Sequence, residues 1–146
     1  MRGFTLIELV VAIAVAGFVL GASITAWPKL HQAMAYRSAV RGVFASMNTA
    51  RGEALRSGQA AVFFVDLDQR NYGVGDKVLG DFSDALTLRY TLAEREVDAR
   101  GRGQIRFSPD GGATGGSVEV LRGDGSGVRL RVDWLLGSVT QEAVGG

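Results

Sequence analysis

Few side chains in this sequence could do chemistry, and those few do not converge. His31 is the single histidine and cysteine is absent, so a zinc site or a Ser-His-Asp arrangement lacks the partners that either needs. The missing cysteines also exclude a thiolate nucleophile and a disulfide framework, while leaving the compartment open. Gly73-Val74-Gly75 and Gly123-Asp124-Gly125-Ser126-Gly127 look superficially like phosphate-cradling loops. Neither completes the G-x-G-x-x-G spacing or opens a helix after a strand, so both read as hairpin turns. Asp66 and Asp68 begin like a calcium loop, but Arg70 stands where a third oxygen ligand belongs and no bidentate glutamate follows at the right offset. Glu94, Glu96 and Asp98 read as a solvated acidic loop edge beside Arg95 and Arg100. The sequence therefore predicts no enzyme, no cofactor and no metal.

Glu8 is the exception among the acidic residues. From Phe4 to Trp27 it is the one formal charge in an otherwise apolar or small-residue run. At helical rise that run covers roughly 36 Å, enough to cross the ~30 Å hydrocarbon core with some tilt. A carboxylate inside such a span costs about 2.5 to 3.5 kcal/mol on insertion scales, so Glu8 requires a partner. The run is too long for the h-region of a cleaved secretory signal and starts almost at the initiator, which argues against that reading. Arg2 places one positive charge ahead of it and favours a cytoplasmic N-terminus, whereas Lys29, Arg37 and Arg41 on the far side weaken a simple charge count.

The segment Gly3-Phe4-Thr5-Leu6-Ile7-Glu8-Leu9-Val10 resembles the class III signal of type IV pilins and type II secretion pseudopilins. The resemblance implies that residues 1–3 are a leader, that a prepilin peptidase cuts between Gly3 and Phe4, and that the same enzyme N-methylates Phe4. Glu8 becomes the fifth mature residue. In this family that glutamate pairs with the N-terminal amine of a neighbouring subunit during assembly, which supplies the partner demanded by the energetics.

The remaining residues set out the elements that carry this segment. A kink or short break is expected at Pro28, followed by an amphipathic helix over 29–57. Ala33, Tyr36, Val40, Val43, Met47, Ala50 and Ala54 recur at spacings of three and four and form one face, broadened by Phe44 and Leu55. Arg37, Arg41, Arg51 and Arg56 form a basic set read as a solvated face, with a nucleic-acid or headgroup patch as the alternative. Beyond Gly58 the period shortens. Strands are expected over 60–65, 72–74, 86–92, 104–108, 117–122 and 127–134, with 66–71 a turn and 75–85 a loop of little order. Gly is 21 of 146 residues, about twice the usual ~7%, which suits a turn-rich β region. The length admits the N-terminal segment and one further domain. Net charge is +1, so nothing global points to nucleic acid. A strand layer alone cannot hide both its own apolar face and that of the helix. The expected class is α+β, with a long N-terminal helix whose C-terminal half packs against antiparallel sheet.

A second resemblance lies in the tail. Ile105-Arg106-Phe107-Ser108-Pro109-Asp110-Gly111, then Thr114-Gly115-Gly116-Ser117-Val118, then Val132-Asp133-Trp134-Leu135-Leu136-Gly137-Ser138-Val139, is similar to the C-terminal signature of the GspH/FimT family of minor pseudopilins. No motif is matched over 59–103. The resemblance implies a pilin-like fold, with a transmembrane and assembly helix over 4–27 and a periplasmic domain over 28–146, β-rich from 59 to 140. It implies a structural subunit of the type II secretion pseudopilus, single-pass in the inner membrane before assembly. Its partners would be other pseudopilins through the N-terminal helix, the prepilin peptidase, the inner-membrane assembly platform and the lipid bilayer. The alternative is a minor type IV pilin that primes pilus assembly or binds DNA in natural transformation. A DNA-binding tail wants arginines that the closing segment 136–142 lacks, and Asp124 and Asp133 interleave with Arg122, Arg129 and Arg131.

Overall fold

A computed structural model describes residues 5–92, 96–98 and 101–145, with the side chains of 21–29 outside the description. Among the described residues one helix and eight strands follow one another: α1 (Leu6–Ser57), β1 (Ala61–Asp66), β2 (Asn71–Val74), β3 (Lys77–Asp81), β4 (Thr87–Thr91), β5 (Gly103–Phe107), β6 (Gly116–Leu121), β7 (Gly127–Val132) and β8 (Val139–Val144). The chain divides into two compact units, one reaching Met34 and the other covering Ala35–Gly146. The expected break at Pro28 is absent, because α1 runs through it. Proline removes one hydrogen bond and crowds one carbonyl, a local cost of about 3 kcal/mol that a helix with many turns on both sides withstands. Gly58 ends α1 in the left-handed conformation, φ 69°, with its N–H on the Ala54 carbonyl at 3.1 Å.

In the second unit the strands form two four-stranded antiparallel sheets, ordered β3-β2-β1-β5 and β4-β6-β7-β8. The chain changes sheet after β3, returns for β5 and crosses back for β6. Both sheets contribute to one core with α1. Val43, Met47, Ala50 and Ala54 of the helix are fully buried in the same cluster as Phe63 and Val65 of β1, Ile105 and Phe107 of β5, Val118 and Val120 of β6 and Leu130 of β7. Each such Val, Ile or Phe contributes about 1.5–3 kcal/mol by leaving water. The spacing-derived helix face is therefore correct from Tyr36 to Ala54. Its margins are not, since Ala33 and Leu55 are exposed and Ala39, off the stripe, is buried.

Tyr72 of β2 keys the helix to the first sheet. Its hydroxyl lies where a Cβ on Gly42 of α1, or on Gly80 of β3, would stand, so both positions exclude a side chain. Its ring meets Phe82 at 4.9 Å between centroids, and burial, seconded by the nearby Asp81 charge, pushes its phenol above the usual tyrosine range.

The stretch 75–85 is ordered, contrary to expectation. It holds β3, and Arg70, at φ 51°, anchors the chain beyond that strand by donating from Nη2 to the Ser83 and Leu86 carbonyls at 2.6 and 2.9 Å. A second unexpected strand, β8, closes the other sheet in register with β7 from Val132↔Val139 to Gly127↔Val144. The acidic loop edge also differs. Glu94, Arg95 and Arg100 lie outside the described residues, but Asp98 is no solvated edge. Its carboxylate accepts from the Arg102 backbone N–H at 3.0 Å, from Arg102 Nε at 2.7 Å and from Gln104 Nε2 at 3.3 Å.

Candidate functional site

The N-terminal helix begins with a residue order that spacing alone could have shown. Thr5 precedes the first helical residue, and its carbonyl accepts from Glu8 N at 3.0 Å and Leu9 N at 3.3 Å. Thr5 thus stands at the N-cap and Glu8 at the third helical position, the order of a capping box. Gly3 and Phe4, the expected cleavage and methylation positions, lie outside the described residues.

From Leu6 to Leu20 the helix presents apolar side chains on all sides. Leu6 and Phe18 are each 82% exposed, and Ile7, Leu9, Val10, Val11, Ile13, Val15, Val19 and Leu20 are exposed with them. A helix apolar all round needs hydrocarbon or other helices about it. Among the described residues no helix is long and apolar enough to cross a membrane. The apolar segment with described side chains, Leu6–Leu20, spans roughly 22 Å, short of the ~30 Å core. The expected span over 4–27 is thus not shown by the described residues.

Of the basic residues that could have formed a nucleic-acid surface, Arg51, Arg122 and Arg129 are engaged, whereas Arg56 and Arg131 are exposed. On the second sheet Arg89 of β4 stands opposite Glu119 of β6, Glu119 opposite Arg129 of β7, and Arg129 opposite Glu142 of β8. This row alternates in sign across all four strands. Arg129 donates to the buried Glu119 carboxylate from Nε at 2.9 Å and from Nη2 at 2.7 Å, and its Nη1 lies 3.8 Å from Glu142. Arg122 stacks on the Tyr36 ring at 3.8 Å and bonds the Ser126 hydroxyl at 3.0 Å. Arg51, placed by sequence on a solvated face, instead donates from Nη2 to the Leu136 carbonyl at 3.1 Å. Arg37 and Arg41 remain exposed, with Arg41 Nε on the Arg37 carbonyl at 3.3 Å. Cations tied into pairs and stacks are poor collectors of phosphate.

The tail motifs prove to be neighbours. Phe107-Ser108-Pro109-Asp110-Gly111 forms the turn after β5, with Gly111 N on the Ser108 carbonyl at 3.1 Å and Ser108 N on the Gly112 carbonyl at 2.9 Å. Ala113 N then bonds the Trp134 carbonyl at 2.9 Å, joining this turn to the loop between β7 and β8. In that loop Asp133 Oδ1 accepts from Leu135 N and Leu136 N at 2.9 and 2.8 Å. Gly137, at φ 59°, packs where a Cβ would strike the Gly111 carbonyl. These motif residues build a pair of interlocked loops and carry no reactive group. The sequence did not reveal Arg51 as the residue under them, because a single arginine on a helix carries no signal of its distant acceptor.

No metal-holding group of three or more His, Asp or Glu occurs among the described residues. Asp66 Oδ1 instead caps its own turn by accepting from Gln69 N at 2.8 Å.

Known proteins share parts of this sequence and its fold. The family described as type II transport protein GspH matches residues 39–136, and the prokaryotic N-terminal methylation motif matches residues 1–24. Type II secretion system protein H of Xanthomonas campestris pv. campestris is 31% identical over 144 residues, covering 95% of this chain and 82% of the relative. In fold the chain is similar to the minor pseudopilin EpsH from the type 2 secretion system of Vibrio cholerae. That match has a TM-score of 0.55 and 16% identity over 74% of this chain and 96% of that one. It is also similar to the type IV minor pilin FimU of Pseudomonas aeruginosa, with a TM-score of 0.53 and 16% identity over 73% of this chain and 87% of that one. Those two likenesses establish the fold, a long helix with antiparallel sheets common to a secretion subunit and a pilus subunit. By the extent of the family match and the identity to protein H, the chain belongs to the GspH family of type II transport proteins and is a GspH-type minor pseudopilin.

Proposed function

We propose that this minor pseudopilin is held in the inner membrane by residues 4–27 and is cut between Gly3 and Phe4 by a prepilin peptidase. It is then N-methylated on Phe4 and drawn from the bilayer into a short periplasmic fibre at or near its tip. Residues 28–146 lie on the periplasmic side and the role is structural, with fibre growth moving secreted proteins outward. The N-terminal helix contacts other pseudopilins and the assembly platform, and Glu8 pairs with the amine of a neighbouring Phe4. The observation that carries this reading is the helix Leu6–Leu20, apolar on every side with a single carboxylate in its first turn. A surface of that kind suits first lipid and then a bundle of like helices. The methylation-motif match over 1–24 supports the processing step.

The pilin alternative draws on the likeness to FimU, but Arg129 and Arg122 of the second sheet are tied into an ion pair and a ring stack, which weighs against a phosphate-binding face there. Removing the gene and measuring both enzyme secretion and transformation separates the two. Lost secretion with normal transformation is the expected result, and the reverse overturns the proposal. For the site itself, Glu8→Ala is expected to insert and be processed yet fail to enter fibres. Normal incorporation of that variant removes the pairing role.

A further inference from the structure

The second sheet carries a groove of about 560 Å³ beside its charged row, lined by Thr91, Thr114, Ser117, Arg131, Asp133 and Trp134 among others. Thr91, Ser117 and Arg131 stand opposite one another on β4, β6 and β7, so the floor is a row of hydroxyls ending at a guanidinium. We infer that this groove docks an extended acidic peptide segment, with aliphatic flanks, from a protein partner.

Three observations carry the inference. First, Arg131 has spare capacity. Its side chain is 64% exposed and reaches Glu142 only at 3.9 Å, and Arg129 competes for that carboxylate at 3.8 Å. Asp133, on the same wall, has Oδ1 occupied by two backbone N–H groups of the loop. The groove therefore offers a cation with open donors, and a carboxylate satisfies it bidentately. Second, Trp134, Leu135 and Leu136 are 68%, 62% and 62% exposed on a backbone that is nonetheless fixed, by Ala113 N on the Trp134 carbonyl at 2.9 Å and by Arg51 on the Leu136 carbonyl at 3.1 Å. Three consecutive large apolar side chains held out on a rigid loop mark an interaction surface. Third, the combination selects among ligands. A neutral saccharide leaves the Arg131 guanidinium without a counter-charge and makes no use of the exposed Leu135 and Leu136 beside the groove. One available guanidinium is too few for a phosphate chain, which needs cations in series. A peptide with a carboxylate between aliphatic residues uses both features. Because this site is remote in sequence from the processing segment, its occupancy requires neither cleavage nor methylation.

The chain has two tryptophans, so Trp27→Phe in the full-length protein, held in detergent micelles, leaves Trp134 as the sole indole reporter. Titration with acetyl-Leu-Glu-Leu-Asp-Leu-amide is expected to give a saturable blue shift of its emission. Arg131→Gln, or the neutral peptide with Gln and Asn in place of the acids, is expected to weaken binding at least about tenfold. Arg37→Gln, which removes the same charge from an exposed helix position, is expected to leave it within about twofold. Equal binding of the neutral peptide, or an undiminished response in Arg131→Gln, overturns the inference. So does a concentration-dependent shift without peptide, which assigns the groove to a second copy, or a stronger response to digalacturonate or single-stranded oligodeoxythymidine.

Discussion

Arg51 Nη2 on the helix donates to the Leu136 carbonyl at 3.1 Å across 85 residues of sequence. Its Nε is buried without a hydrogen-bond partner, so the side chain stays in place for this single contact beneath the two interlocked loops. A hydrogen bond from a charged donor contributes about 1.5–3 kcal/mol. Arg51→Leu keeps much of the stem packing and removes that bond. It is expected to lower unfolding free energy by about 1–2 kcal/mol in urea denaturation and to speed amide exchange at Ala113 and Gly137. Unchanged exchange at those two amides would rule out a latching role.

Gly42 offers a test by sign. Glycine to alanine inside a helix ordinarily gains about 0.8–1 kcal/mol. Here the new methyl would overlap the Tyr72 hydroxyl, and overpacking costs about 1–3 kcal/mol. Gly42→Ala is expected to destabilise by about 1 kcal/mol, and less in a Tyr72→Phe background, measured as a double-mutant cycle. A stabilised single variant would show that the ring moves aside freely.

Tyr72 also sets an alkaline limit. Its folded pKa is raised by burial and by Asp81, so its stabilising effect is full below the unfolded value of about 10 and falls as pH rises through the folded value. Urea midpoints are expected to drop as pH rises above about 10, with part of the drop absent in Tyr72→Phe. An identical drop in both proteins would place the effect elsewhere.

Glu119 and Arg129 are unequal partners, since the Glu119 side chain is 11% exposed and that of Arg129 42%. Removing the arginine strands a buried carboxylate, whereas removing both leaves nothing unpaired. Arg129→Thr is expected to cost about 1–2 kcal/mol by thermal denaturation at neutral pH, and Glu119→Thr in the same chain to restore part of it. Additive losses would show that the pair is not coupled.

Whether an element was legible in the sequence depended on where it sits in the fold. The helix face from Tyr36 to Ala54 could be read because its burial repeats every three or four residues. β6 and β7 could be read because Val118, Val120, Leu130 and Val132 point into the core at period two. The two strands that escaped, β3 and β8, are both edges. Lys77–Asp81 is exposed at four of its five positions, and Val139–Val144 has no buried residue. Edge strands are held by backbone pairing on one side, which composition does not record. The family signal at Gly3–Val10 could be read because its residues are contiguous and match the N-terminal methylation motif over 1–24. The tail motifs were visible as turns, but their meeting through Ala113 and Trp134 depends on a crossing between loops that no local pattern encodes. Arg102 was likewise unforeseen as the partner of Asp98, since ion pairing within a loop depends on its path.

The alternating row Arg89, Glu119, Arg129, Glu142 has a consequence for transport. Neighbouring strands are about 4.8 Å apart, so opposite charges along the row sit well inside the ~8 Å Debye length of a physiological solution. Their potentials cancel before reaching a passing macromolecule, and few counterions gather over that face. A secreted protein of either sign would find little field along this row, in contrast to the exposed Arg131 guanidinium in the groove beside it.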